Sequence, residues 1–306
     1  MMGLLERRLA EFVDREAEMQ LFCDMLETGS KSILVVWGDS GLGKSSLLAK
    51  MIHECAQRRV AKAEVTWTKT RPYDYLGVMR KIRDDVLSSL HNTPQPSGSL
   101  LPFTRFTDLA NYFTVEHYEL TVRVEGVSSI HVAQQATIQG STTGDIGGII
   151  VKDVMLNSAR SDMAVPEAER MARLTDRFLE DLRGVVGRER LVVFFDAVEE
   201  ISADTEKWVW GELLCAARNG RLENTVFVLC GEKKPELDRD WDYAVETAEL
   251  RPLSHEHIVD YLARRGVEES QREALALMLE ATTQGRIAQI ATNVDAFLKL
   301  QAQRKR

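Results

Sequence analysis

No apolar run in this chain approaches the roughly 20 residues needed to cross a bilayer, so no membrane-spanning helix is expected. The opening stretch MMGLLERRLAEF carries charges throughout and has no apolar core, which argues against a secretory signal. Cysteine is scarce. The four thiols (Cys23, Cys55, Cys215 and Cys230) lie far apart, without the paired spacing of a metal centre, and are expected to be buried and reduced, as in a cytosolic protein. Positive charge is in deficit too, with 39 Lys and Arg against 47 Asp and Glu for a net charge of −8. That balance disfavours a general electrostatic grip on nucleic acid or an anionic membrane and leaves only local basic faces, such as Arg58, Arg59 and Lys62. The remainder is ordinary globular material: 306 residues, 44% of them apolar, suffice for one large domain and a smaller one. A soluble, cytoplasmic protein is expected.

Two kinds of hydrophobic pattern alternate along the chain. Residues 11–28 place Phe22, Met25 and Leu26 on one side of a helix beginning near Asp14. The run Ile33 to Trp37 that follows is short, β-branched and ended by glycine, as a strand buried on both faces is. Leu47, Leu48, Met51, Ile52 and Cys55 then recur at helical spacing, Val65 to Trp67 predicts a second strand, and Tyr75 to Leu90 another helix. This order predicts an α/β fold with a parallel sheet flanked by helices. The composition of HNTPQPSGS (91–99) marks a linker. Beyond it Tyr118, Leu120, Val122 and Val124 alternate with polar residues, and 127–139 and 145–156 favour strand, so 104–160 is read as a β-rich insertion. The α/β pattern resumes with a helix from about Pro166 to Val186, a strand at Leu191 to Phe195, a helix around Trp208 to Ala217 and a strand at Thr225 to Cys230. The expected domains are therefore a split core (1–103 and 161–250), the insertion (104–160) and a C-terminal helical lid with its tail (251–306).

Gly38-Asp39-Ser40-Gly41-Leu42-Gly43-Lys44-Ser45, followed by Ser46, fits G-x-x-x-x-G-K-[ST] between a predicted strand and a predicted helix. Glycines let successive backbone N–H groups turn inward around phosphates, and the helix that begins near Lys44 adds its positive end. Lys44 is expected against the β- and γ-phosphates of ATP or ADP, and the Ser45 hydroxyl on Mg²⁺. Chance would produce the four fixed positions about once in a hundred chains of this length, and the flanking elements lower that further. A second metal anchor is expected at the carboxyl end of a neighbouring parallel strand, where open α/β sheets gather their ligands. Asp196, closing Leu191-Val192-Val193-Phe194-Phe195, is the candidate; its other reading is a helix N-cap. Glu199 or Glu200, three or four residues on, could orient water in line with the γ-phosphate, with Glu199 preferred.

Taken together, FVDREAE (12–18), GDSGLGKSS (38–46), LVVFFDAVEE (191–200) and ELRPLSHEHIVDYLARRG (249–266) make the chain resemble the STAND class of AAA-related ATPases, which includes the NACHT and NB-ARC switch proteins. The likeness covers roughly 10–90 and 165–300 and leaves the insertion outside it. It implies ATP or ADP held between the α/β core and the helical lid, with nucleotide state controlling assembly. In such lead-ins Val13 and Arg15 pack beside the base, although Arg15 could equally form a surface ion pair with Glu18. Gly285-Arg286-Ile287 stands where the family often carries Gly-x-Pro, so Arg286 could reach the phosphates from the lid. Only Lys233 and Lys234 follow the 225–230 strand as polar sensor candidates. Arg218 and Arg221 could act on a neighbouring subunit's γ-phosphate or could be a solvated helix end.

The expected function is thus a Mg²⁺-dependent regulatory ATPase switch that forms a homo-oligomer and works with a protein effector or sensor partner. A nucleic-acid loader or transposition regulator that polymerises on DNA is the alternative from another class, and a nucleotide-binding module that never hydrolyses is a third.

Overall fold

The structure is a computed structural model that describes residues 12–70, 72–90, 102–114, 118–122, 130–132, 154–158, 165–187 and 189–304. The linker at 91–99 and most of the expected strands at 127–139 and 145–156 lie outside the described residues. Chain contacts divide the molecule into two units, residues 1–102 with 179–306, and residues 103–178.

The larger unit is built on five parallel strands: β1 (Ile33–Trp37), β2 (Ala61–Thr66), β6 (Leu191–Asp196), β7 (Thr225–Gly231) and β8 (Val245–Glu249), in the order β2-β6-β7-β1-β8. The central strands β1, β6 and β7 are apolar over most of their length because both faces are covered. One face joins Leu34, Val36, Val192, Phe194, Val228 and Cys230 to α1 (Glu16–Thr28), through Phe22, Met25 and Leu26, and to α2 (Lys44–Arg58), through Leu47, Leu48, Met51 and Cys55. On the other face Phe195 stacks on Phe227, ring centroids 6.3 Å apart, and meets Trp67 at 5.4 Å. The helix α3 (Tyr75–Leu90) runs beside β2, where the Asp85 carboxylate accepts the Glu64 N–H at 2.9 Å and the Ser89 hydroxyl donates to the Lys62 carbonyl at 3.3 Å. A helical stretch between β6 and β7 consists of α6 (Ala203–Trp208), a π-helical segment (Val209–Leu214) and α7 (Cys215–Arg218). It is longer at its start than the expected 208–217.

Three C-terminal helices, α8 (His255–Arg264), α9 (Glu269–Thr283) and α10 (Ile287–Arg304), close on an apolar cluster of their own that includes Ile258, Leu262, Leu279, Ile290 and Val294. Val13, from the lead-in before α1, is buried in that cluster.

The smaller unit corrects one expectation. Its segment from 104 opens with a helix, α4 (Thr104–Thr114), rather than a strand. The Phe106 ring of this helix packs edge-on to Phe178 at 5.3 Å, and Phe103 stacks on the same ring at 5.8 Å. Three strands do follow, β3 (Tyr118–Val122), β4 (Ile130–Val132) and β5 (Val154–Ser158), antiparallel in the order β4-β3-β5. The first half of α5 (Glu167–Val186) belongs to this unit, so it reaches past 160.

Candidate functional site

The phosphate-loop motif occupies the turn from β1 into α2. Gly43 caps α2 at φ 95°, with no side chain bonded to the cap and no acid in the first turn, so the helix presents its positive end openly to the loop. Lys44 folds over the loop, its Nζ donating to the carbonyls of Gly38 (2.6 Å) and Asp39 (3.0 Å). Ser45 is exposed and Ser46 half-buried.

Asp196 sits at the end of β6, where one carboxylate oxygen accepts the Ala197 N–H at 3.0 Å. The N-cap of the 3-10 turn Val198–Glu200 is Ala197, at φ 58°, so the capping reading of Asp196 is not what the backbone shows. The expectation of a strand next to β1 is corrected: β7 lies between β1 and β6. What links the two halves is Gly231 at the end of β7. Its carbonyl accepts the Gly38 N–H at 3.2 Å, and a Cβ on it would stand 2.4 Å from Val198 Cγ2 and 3.6 Å from a Glu199 carboxylate oxygen. Only a residue without a side chain leaves room for the turn that carries Glu199. Glu199 and Glu200 are both exposed. Beneath them the fully buried Cys230 thiol is pushed well above its ordinary range, chiefly by burial; Asp196 and Glu199 reinforce the shift and Lys44 opposes it. One buried sulfur thus feels the loop lysine and both acids at once.

The C-terminal helices meet the loop directly. Arg286 donates to the Ser40 carbonyl at 3.0 Å and to the Asp39 carboxylate at 2.9 Å, and the Ala288 N–H donates to the Gly41 carbonyl at 3.1 Å. A Cβ on Gly43 would lie 3.1 Å from Ile287, so the start of α10 rests against the glycines of the loop.

Arg15 is buried, which corrects the surface pairing with Glu18. Its guanidinium pairs with Asp14 at 2.7 Å and donates to the carbonyls of Leu42 (3.2 Å) and Arg251 (2.6 Å), so one cation ties the segment before α1, the phosphate-loop motif and the segment before α8 together. Asp14, the residue before it, adopts φ 59°, a conformation that aspartate tolerates better than most residues. Arg264 reaches back to the Phe12 carbonyl.

The remaining candidates divide between partly buried and exposed positions. Arg218 is half-buried, its guanidinium 4.6 Å from the centre of the Trp241 ring, and is neither free nor a solvated helix end; Arg221 is exposed. Lys233 and Lys234 face a cavity lined by Val35 and Leu229. Cys23 and Cys215 are only partly buried. Gly231 and Arg251, whose part is a backbone carbonyl, are residues that side-chain chemistry could not have flagged.

Among the described residues there is no group of three or more His, Cys, Asp or Glu side chains able to hold a metal, and no helix long and apolar enough to cross a membrane. One carboxylate and one hydroxyl, Asp196 and Ser45, are nevertheless the hard oxygen donors Mg²⁺ uses when phosphates and water complete its shell, so the residues fit that ion.

A family model described as an AAA ATPase domain matches residues 11–229. No curated protein matches the chain. Among solved structures it is similar to a Signal Transduction ATPase with Numerous Domains (STAND) protein with a tetratricopeptide repeat sensor from Pyrococcus horikoshii, at 16% identity and a TM-score of 0.45, covering 91% of this chain and 29% of that one. It is also similar to a chain of the HORMA:CdnC:Trip13 complex of E. coli MS115-1 (10% identity, TM-score 0.43, 90% and 76% covered) and to PCH-2 of C. elegans (10%, 0.35, 86% and 52%). The chain thus spans under a third of the length of the STAND protein it matches.

Proposed function

The chain belongs to the AAA ATPase domain family, and from that premise we propose that it is a Mg²⁺-dependent regulatory ATPase of the STAND kind, in which the bound nucleotide sets the position of the lid and so governs assembly or partner binding. The observation that carries this reading is the direct seating of α10 on the phosphate loop, through Arg286 on Asp39 and Ser40 and through Ala288 on Gly41. A phosphate chain entering the loop has to displace or recruit those same groups.

In this reading the loop N–H groups from Gly38 to Ser46 and the start of α2 hold the phosphates. Lys44 exchanges its two loop carbonyls for β- and γ-phosphate oxygens, and Arg286 moves from Asp39 to the phosphates. Ser45 and Asp196 would hold Mg²⁺, which would supply charge neutralisation for the phosphates. Glu199, kept near the loop by Gly231, accepts a proton from the attacking water, with Glu200 the neighbouring alternative. Val13 and Arg15 shape the base side of the site. Arg221 is the cation free to act across a subunit boundary, whereas Arg218 would first have to leave Trp241.

ATP at a hundred times its dissociation constant should stabilise the protein by about 2.7 kcal/mol, a rise in melting temperature that Lys44→Ala abolishes. Glu199→Gln should keep that rise and lose phosphate release. An unaltered ATP-dependent shift in Lys44→Ala would overturn the site assignment, and unaltered turnover in Glu199→Gln would overturn the role given to that acid. Particle size with and without ATP tests the switch itself.

A further inference from the structure

A crossover between parallel strands usually lays a helix over the sheet. Both β7 and β8 flank β1 in parallel, yet the crossover that joins them, residues 232–244, contains only the 3-10 turn Arg239–Trp241. Between that crossover and the strands lies a cavity of about 440 Å³. Small-molecule sites run from about 300 to 1,000 Å³. Its floor is apolar, formed by Val35, Phe195 and Leu229 of three adjacent strands, with Trp67 against Phe195. Its wall is Val209 and Trp210, which open the π-helical segment, and Trp210 is braced edge-on by Trp241 of the crossover at 5.4 Å. Single-turn π segments in α-helices are frequent at functional sites.

Charges gather at the mouth. Lys233 and Lys234 line it, both exposed, and neither takes part in a side-chain hydrogen bond or ion pair among the described residues. Glu206 and Glu232 line the same mouth. Glu199 also borders it, with its carboxylate beside Gly231. A ligand carrying one charge meets repulsion as well as attraction here, whereas a zwitterion sets each of its charges beside the opposite one. An aromatic ring suits a floor of Val35, Phe195 and Leu229 beside the Trp210 indole.

We propose that this cavity binds a small aromatic zwitterion of the amino-acid type, its ring on Val35 and Leu229 beside Trp210, its carboxylate at Lys233 and Lys234 and its ammonium at Glu206 or Glu232. The binding involves no phosphate-loop residue and no turnover, so it stands or falls separately from the ATPase reading.

Calorimetric titration of the full chain with phenylalanine, with 3-phenylpropanoate (which lacks the ammonium) and with phenethylamine (which lacks the carboxylate) tests this. Phenylalanine is expected to bind one-to-one and at least about tenfold tighter than either analogue. Substituting both lysines, Lys233→Ala with Lys234→Ala, should weaken phenylalanine about tenfold and leave phenethylamine unchanged; the two side chains are exposed, and a thermal melt matching the unsubstituted protein certifies the fold. The proposal is overturned if phenylalanine binds no tighter than the analogues, if the lysine substitutions leave its affinity unchanged, or if about 10 mM phenylalanine gives no heat beyond dilution.

Discussion

Replacing Gly285 by alanine asks whether the lid is seated by a close approach of backbone to backbone. A Cβ at this residue, which has φ 71°, would stand 2.5 Å from the Leu253 carbonyl oxygen, 2.9 Å from Pro252 Cβ and 3.0 Å from Leu253 N. Favourable contacts between carbon atoms lie at about 3.5–4.0 Å. Because the obstructing atoms are mostly main chain, no rotamer change relieves the clash, and the Leu253 N–H to Gly285 carbonyl bond of 2.9 Å has to shift. Gly266 supplies the control, with φ 74° and nothing within 4 Å of an added Cβ. Its alanine variant carries only the left-handed backbone cost, about 1 kcal/mol. Gly285→Ala adds an overpacking cost of about 1–3 kcal/mol, for a total of about 2–4 kcal/mol. Urea unfolding should read the difference as a larger fall in midpoint at unchanged slope. Since the Gly285 turn delivers Arg286, Ile287 and Ala288 to the phosphate loop, Gly285→Ala should also reduce the stabilisation by ATP that Gly266→Ala retains. Equal loss of stability in the two variants would refute the reasoning.

Arg15→Lys keeps the charge but loses the fork that reaches the Leu42 and Arg251 carbonyls together, so a loss of about 1–3 kcal/mol is expected from urea unfolding; an unchanged midpoint would mean that the clamp carries no stability. His255 bridges Glu280 and Glu273 from α8 to α9, and those two hydrogen bonds raise its pKa above the ordinary 6.5. Folding therefore gains from the protonated ring below the unfolded value, and that gain is lost as pH rises through the higher folded value. The corresponding slope in melting temperature above about pH 6.5 should vanish in His255→Gln, and a slope that persists assigns it to other groups.

Much of this arrangement is written locally. The buried strands, the phosphate loop and the amphipathic C-terminal helices each have a period or a motif that a short window contains, and the structure has them where those signals lie. β8 has no such signal because three of the five residues of VETAE are polar and do not alternate with the apolar ones: it is an edge strand, and its pairing with β1 is decided by a partner 212 residues earlier in the register Ile33 to Val245. The helix α4 was hidden by its place between a linker and clear strand alternation, where the two aromatic contacts to Phe178 outweigh local preference. At the site, side-chain types could nominate Lys44, Asp196 and Glu199. They could not show that Arg15 would be buried, that Arg218 would lie on Trp241, or that Gly231 would matter for what it lacks, since each depends on which distant segment comes alongside.

The contacts between lid and loop also set an order of events during synthesis. Arg286 and Asp39 are separated by 247 residues of chain, and Arg15 and the Arg251 carbonyl by 236. At about 5–20 residues per second, the phosphate loop leaves the ribosome roughly 12–50 s before the segment that covers it. Over that interval the strand β1 and the loop exist without their clamp, and for the earlier part of it their sheet lacks β6 and β7 as well. Contacts so remote in sequence make for slow folding, with closure of the loop among its last steps. A nascent chain of this protein should therefore gain protection of its phosphate loop against protease only after the start of α10 has emerged.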